Sequence, residues 1–289
     1  MTDNPPGCPV TGTPADADAP NKLTYNSYLK VPELLSLQHY ESTPPAHDEL
    51  LFITIHQAYE LWFKQILFEL DSVMAHMAQD DVYESSRLLQ RVLKIEKLLV
   101  SQIHILETMT PRDFLRFRSA LNPASGFQSI QFREVEFLTG IRDESLLRYI
   151  DQTTDDARRL NARLNSPSLR TGFYELLKRQ GFDVQVPSED GELPDDVRAN
   201  NLDALFPLYR FPEKYFHLYT LSEALVEHDQ NLLLWRFHHV RVVERLIGTK
   251  PGTGGSSGVE YLSSTLDRRA YPTLWEVRAT LSDDEIYGT

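Results

Sequence analysis

The chain has one cysteine, Cys8, no HExxH motif, no two histidines four residues apart, and no uncharged apolar run long enough to cross a bilayer. A single cysteine rules out an intrachain disulfide and any cysteine-rich zinc or iron–sulfur centre. Without paired histidines, a histidine-based zinc or non-haem iron site has no support. Basic residues are also in short supply, with Lys plus Arg at 29 against Asp plus Glu at 42, a net charge of −13. Phosphate backbones need a basic surface, so no nucleic-acid partner is expected. The most apolar stretch is interrupted by Glu60, Lys64 and Glu69, and the first residues lack a basic segment followed by an apolar one. A soluble cytoplasmic protein, without membrane association, is the expectation.

What is present is helical periodicity. Asp48 to Leu70 (DELLFITIHQAYELWFKQILFEL) has no Gly or Pro and almost no polar face, which predicts a helix buried in a bundle. Leu88, Leu89, Val92, Leu93, Leu99, Ile103 and Leu106 recur at helical spacing, predicting a second long helix from about Val82 to Glu107. Thr110-Pro111 has the order of a helix start, with Phe114, Phe117 and Arg118 on that helix. Further helices are expected over 128–139, 143–164, 166–180 and 212–247, with one or two more in 259–280. A short helix is expected over 32–38, and the polar stretch 183–195 reads as an exposed excursion. Residues 1–20 read as a disordered tail and 21–289 as one all-α domain, a bundle of long helices.

Taken singly, the chemical candidates stay ambiguous. His56 is the one imidazole in the apolar run, and by default such a group is a hydrogen-bonded core residue. His217, His228 and His239 are spaced eleven residues apart, which allows one helix face. Each step is roughly 16 Å, so they cannot share one metal ion, though a single imidazole can hold haem iron. Gly252 to Gly258 (GTGGSSG) lacks the Lys-Ser/Thr of a phosphate-binding loop and reads alone as a flexible linker. Arg118 suits a carboxylate, although a surface ion pair is the commoner use of an arginine.

Taken together, HDELLFITIHQAYELWFKQILFEL, LETMTPRDFLRFRSALNPASGFQSIQFR, WRFHHVRVV and GTGGSSG resemble, in the same order, the tryptophan 2,3-dioxygenase family. The resemblance runs from about Lys22 to the C-terminal helices. It implies an all-helical enzyme of tryptophan catabolism by the kynurenine route, with haem b in its Fe(II) state and a homotetramer built as a dimer of dimers. Its substrates are L-tryptophan and O2, and its product is N-formylkynurenine. Carried over residue by residue, it makes His239, and not His238, the axial haem ligand. It makes His56 the distal histidine beside the indole N–H, and Arg118 the partner of the substrate carboxylate. Thr253 contacts the zwitterionic end, Phe52 and Phe114 wall the pocket, and Ser125 and Gly126 border the cofactor. Tyr25 and Tyr28 reach a neighbouring subunit's site. Phe114 stands where some bacterial relatives carry a tyrosine. For the haem propionates the candidates are Arg133, Arg241 and Arg245, unranked. The same motifs leave two alternatives: a haem monooxygenase acting on a substituted tryptophan such as β-methyltryptophan, and a haem-binding sensor or carrier. The presence of His56, Arg118 and Thr253 together favours catalysis.

Overall fold

Side-chain caps start half of the α-helices among the described residues. Asp81, Thr110, Ser129, Thr154 and Ser168 each accept a hydrogen bond from a backbone N–H of the helix they precede. The computed structural model describes residues 22–189, 193–252 and 258–282, and leaves the side chains of Phe127, Arg148 and Tyr149 undescribed. No β-strand occurs among the described residues, as the periodicity predicts. The chain divides into two compact units, one ending at His39 and the other starting at Tyr40.

The first unit contains α1 (Tyr25–Leu29) and α2 (Val31–Leu34). Thr24 and Ser27 form a reciprocal capping box at the start of α1, and Tyr25 and Tyr28 are both well exposed. α2 is shorter than the helix expected over 32–38.

The second unit is built on three long helices: α3 (Glu49–Ala78), α4 (Val82–Ile103) and α10 (Phe216–Ile247). α4 packs against both α3 and α10, and its buried Leu89, Val92, Leu93, Leu99 and Ile103 supply the middle of the core. Between α4 and α10 the chain forms α5 (Pro111–Leu115), α6 (Ile130–Thr139), α7 (Asp155–Leu164), α8 (Leu169–Arg179) and α9 (Asp195–Arg210), and it ends in α11 (Val259–Ser263) and α12 (Pro272–Glu276). Short 3-10 turns cover His104–Thr108, Arg118–Leu121, Gly126–Gln128, Glu144–Tyr149 and Val277–Thr280. Buried carboxylates fasten distant segments. Glu49 accepts the backbone N–H groups of Glu41 and Ser42, folding the incoming chain back on α3. Asp229 of α10 accepts from Ala270 N, Tyr271 N and Trp275 Nε1, which pins α12 to α10.

Several expectations need correction. α3 is longer than read and is not buried on all sides, since Leu61 and Phe68, two turns apart, are 55% and 66% exposed. The helix opened by Thr110 stops at Leu115, so Phe117 and Arg118 lie beyond it. The helix expected over 143–164 breaks into a 3-10 turn and α7, because Asp143, Asp151 and Thr154 use their side chains to bond local backbone. α9 was not anticipated, and Pro207 sits inside it. α10 starts at Phe216 rather than Pro212. Residues 183–189 do not form a free excursion: Val184 is buried, and the Gln185 backbone exchanges two hydrogen bonds with the side chain of Asn201.

Candidate active site

α3 and α10 face one cavity of about 260 Å³, completed by α6, α11 and the turns around Arg118 and Gly126. On α3, residues 52, 56, 59, 60 and 63 line it, as the three- and four-residue spacing of one helix face requires. On α10 the lining residues are Trp235, Arg236, His239, Val240, Val243 and Leu246 among others, again a single stripe.

His56 and His239 both reach this cavity. His56 is solvent-accessible and His239 half-buried, and desolvation by the surrounding protein acts on both. Burial lowers the His56 pKa below the ordinary value, against the opposing effects of the Phe52 carbonyl and the Glu60 charge. Burial, with smaller contributions from His56 and Arg133, lowers that of His239 to about 4. Both imidazoles are therefore neutral at neutral pH. The Nδ1 atom of His56 lies 2.7 Å from the Phe52 carbonyl oxygen, so Nδ1–H donates there and Nε2 carries the lone pair. His239 stacks on Trp235 at 5.0 Å, their planes 14° apart.

The walls are aromatic. Phe52 lies 4.0 Å from the His56 ring, centre to centre, and packs against Phe114 and Phe117 at 5.8 and 5.6 Å. Phe132 lies 4.6 Å from Trp235. Arg118 lines the cavity and donates to the Pro251 carbonyl, at the entrance to the Gly-rich stretch. Gly258 closes that stretch at φ +66, where an added Cβ would stand 2.9 Å from the Lys250 carbonyl oxygen, so a glycine is required. On the α6 wall, Arg133 and Arg236 both pair with Glu136. Burial alone would raise the Glu136 carboxyl, yet the two guanidinium groups hold it below the usual carboxylate range.

Of the residues singled out in the sequence, Phe52, His56, Arg118, Ser125, Gly126 and His239 line this one cavity. Phe114 backs it through Phe52 and is not itself on the lining. Thr253 lies outside the described residues. Tyr25 and Tyr28 belong to the first unit. Arg133 is on the wall, whereas Arg241 and Arg245 are exposed and pair with Glu244 and Glu107. The eleven-residue histidine series does not act as a set. His217 is exposed, and His228 is buried against Glu96 and Thr139. His238 packs on His104 at 4.6 Å instead of facing the cavity. Sequence reasoning missed Glu60, Glu136, Trp235 and Arg236. Glu60 was legible as the residue one turn after His56, and Trp235 and Arg236 as those one turn before His239.

The cavity fits a flat, apolar, iron-bearing ring. His239 offers a neutral imidazole, as an axial ligand must. The backbone at Gly126 faces open space, since a Cβ there would meet nothing within 4 Å. Among the described residues no cluster of three or more His, Cys, Asp or Glu could hold a bare metal ion.

The sequence profile described as tryptophan 2,3-dioxygenase matches residues 13–182 and 175–281. A tryptophan 2,3-dioxygenase of Nocardioides sp. is 48% identical over 265 residues, covering 90% of this chain and 95% of the relative. Those of Herpetosiphon aurantiacus and Caulobacter vibrioides are each 43% identical, covering 90% of this chain and 98% of the relative.

Proposed function

The chain belongs to the tryptophan 2,3-dioxygenase family, and from that premise we propose that the cavity between α3 and α10 is its active site. The protein is an oxidoreductase that opens the indole ring of L-tryptophan between C2 and C3 with O2, giving N-formylkynurenine. The observation that carries the site assignment is the meeting of His56, His239 and Arg118 in one aromatic-walled cavity. The family is haem-dependent. Here haem b would be held by His239 and bordered by Ser125 and Gly126, with Arg133 the best placed of the arginines for a propionate. Haem supplies the redox chemistry that lets O2 react with a closed-shell indole.

The chain's own residues bind, orient and exclude water. Phe52, backed by Phe114 and Phe117, offers the flat apolar surface an indole needs. The Nε2 atom of His56, left unprotonated by the bond at Nδ1, accepts the indole N–H and fixes the ring in its plane. Arg118 pairs with the substrate carboxylate in place of the Pro251 carbonyl, and Thr253 accepts from the ammonium. Fixing both ends of the amino acid sets C2 and C3 at one point, and positioning of this kind is a large part of such catalysis.

The further assignments are a homotetramer, with Tyr25 and Tyr28 serving a neighbouring copy, a cytoplasmic location, and residues 21–289 working as one catalytic domain. Exposed Leu61 and Phe68 on one face of α3 support association between copies. No helix among the described residues is long and apolar enough to cross a membrane. Turnover of L-tryptophan with labelled O2 tests the reaction. N-formylkynurenine carrying two labelled atoms is expected; an intact oxindole ring with one labelled atom would overturn the assignment.

A further inference from the structure

The ionisable groups facing His56 across the cavity come from every element of its wall. They are Glu60 and Tyr59 on α3, Arg118 beyond α5, Arg133 and Glu136 on α6, Arg236 and His239 on α10, and Tyr261 on α11. Tyr59 donates to the Leu99 carbonyl, and burial pushes its hydroxyl up to about 12. Burial likewise raises Tyr261, so both phenols are neutral. Glu136 is neutralised by Arg133 and Arg236. Glu60 differs. Its carboxylate accepts from two neutral donors, Ser129 Oγ at 2.6 Å and Gln131 Nε2 at 2.8 Å, and enters no ion pair among the described residues.

Those two bonds have a mechanical consequence. Ser129 is also the N-cap of α6, and the Gln131 amide donates a second time to the Glu60 carbonyl at 2.8 Å. Glu60 thus ties the start of α6, and the Ser125–Gly126 turn before it, to α3. A neutral amide could serve as such a tie. A carboxylate without a counter-ion in a largely apolar cavity is costly unless its charge interacts with something else. His56 lies four residues earlier on the same helix face, and the Glu60 charge opposes the loss of basicity that burial imposes on that ring.

We propose that Glu60 is a positioning residue of the oxygenation site: it holds the Ser125–Gln131 wall against α3 and keeps His56 Nε2 an electron-rich acceptor for the indole N–H. The inference rests on the reading of His56 given above. The test uses haem-loaded protein, with the L-tryptophan Kd read from the absorption spectrum and kcat/KM measured across the mildly acid to mildly alkaline range. In the parent, both should fail at low pH as His56 takes a proton. Glu60→Gln removes the charge that stabilises the protonated ring, so this acid limit should move down by about 0.5 to 1 pH unit. At neutral pH the same variant should bind L-tryptophan about 3- to 10-fold more weakly, through the poorer acceptor. Glu60→Asp keeps the charge and should keep the parent's acid limit. Ser129→Ala loosens the wall without touching the charge, and it too should leave the limit in place. An acid limit that stays fixed in Glu60→Gln, or that moves equally in Ser129→Ala, overturns the proposal. A parent that neither binds nor oxygenates L-tryptophan would instead overturn the site assignment on which it rests.

Discussion

The Nδ1 atom of His56 sits 2.7 Å from the backbone carbonyl of Phe52, one helical turn earlier. A carbonyl can only accept, so this contact selects the tautomer with the proton on Nδ1 and leaves Nε2 as the acceptor. An indole N–H placed in the cavity then finds one matched partner. His56→Asn should lower kcat/KM for L-tryptophan by about 5- to 150-fold, the value of one buried hydrogen bond of roughly 1–3 kcal/mol. Parent protein should also discriminate against N1-methyltryptophan, which has no N–H to offer, and the Asn variant should lose most of that discrimination. Equal discrimination in both proteins would remove the role assigned to Nε2.

Arg118 should act on substrate capture and leave haem in place. Its guanidinium lines the cavity and in this structure donates to the Pro251 carbonyl, a weaker partner than a carboxylate. Arg118→Leu should weaken L-tryptophan binding by on the order of 2–4 kcal/mol while the haem absorption spectrum stays unchanged. Tryptamine, which lacks the carboxylate, is the control, and its affinity should hardly change. Indole-3-propionate keeps the carboxylate and should suffer with L-tryptophan. If it binds the variant as tightly as the parent, Arg118 is not the carboxylate clamp.

Haem retention should separate two adjacent histidines. His239 faces the cavity, while His238, roughly 100° around the helix, packs on His104. His239→Ala should lose the five-coordinate histidyl-haem spectrum, and His238→Ala should keep it. The reverse pattern would shift the ligand by one residue.

The helical class and the position of α3 were legible because long, regularly spaced apolar residues leave few other structures open. So was the start of α5, since Thr110-Pro111 satisfies the first turn by chemistry local to the sequence. α9 was not, because Pro207 costs only one intrahelical hydrogen bond and tertiary packing of Leu205 and Leu208 on both sides of it compensates. The site residues found early were those in long motifs. Trp235 stood one turn before His239 and could have been found, whereas the pairing of Glu136 with Arg236 depends on partners far apart in sequence. Arg236, for example, meets Glu136 and the Arg268 carbonyl only after α6, α10 and the C-terminal segment have come together.

The last prediction concerns stability. His228 is fully buried on α10; its Nδ1 lies 2.5 Å from a Glu96 oxygen of α4, and its Nε2 lies 2.9 Å from the Thr139 hydroxyl of α6. Burial alone would lower the His228 pKa, but the Glu96 charge and hydrogen bond, helped by Asp229, raise it above the ordinary value of 6.5. The sign follows from linkage. A histidine that binds its proton more tightly when folded stabilises the fold fully below the unfolded-state pKa, and that contribution disappears as pH rises through the folded pKa. His228→Asn removes the contribution and leaves buried Glu96 with Asn231 as its one side-chain hydrogen-bond partner among the described residues. The variant should therefore lose most stability relative to the parent in mildly acid solution, on the order of 3–5 kcal/mol for a broken buried pair, and the gap should narrow as pH is raised well above 7. Urea melts of parent and variant at several pH values measure it. A gap that is constant with pH would mean that His228 is neutral in the folded protein and contributes by packing alone.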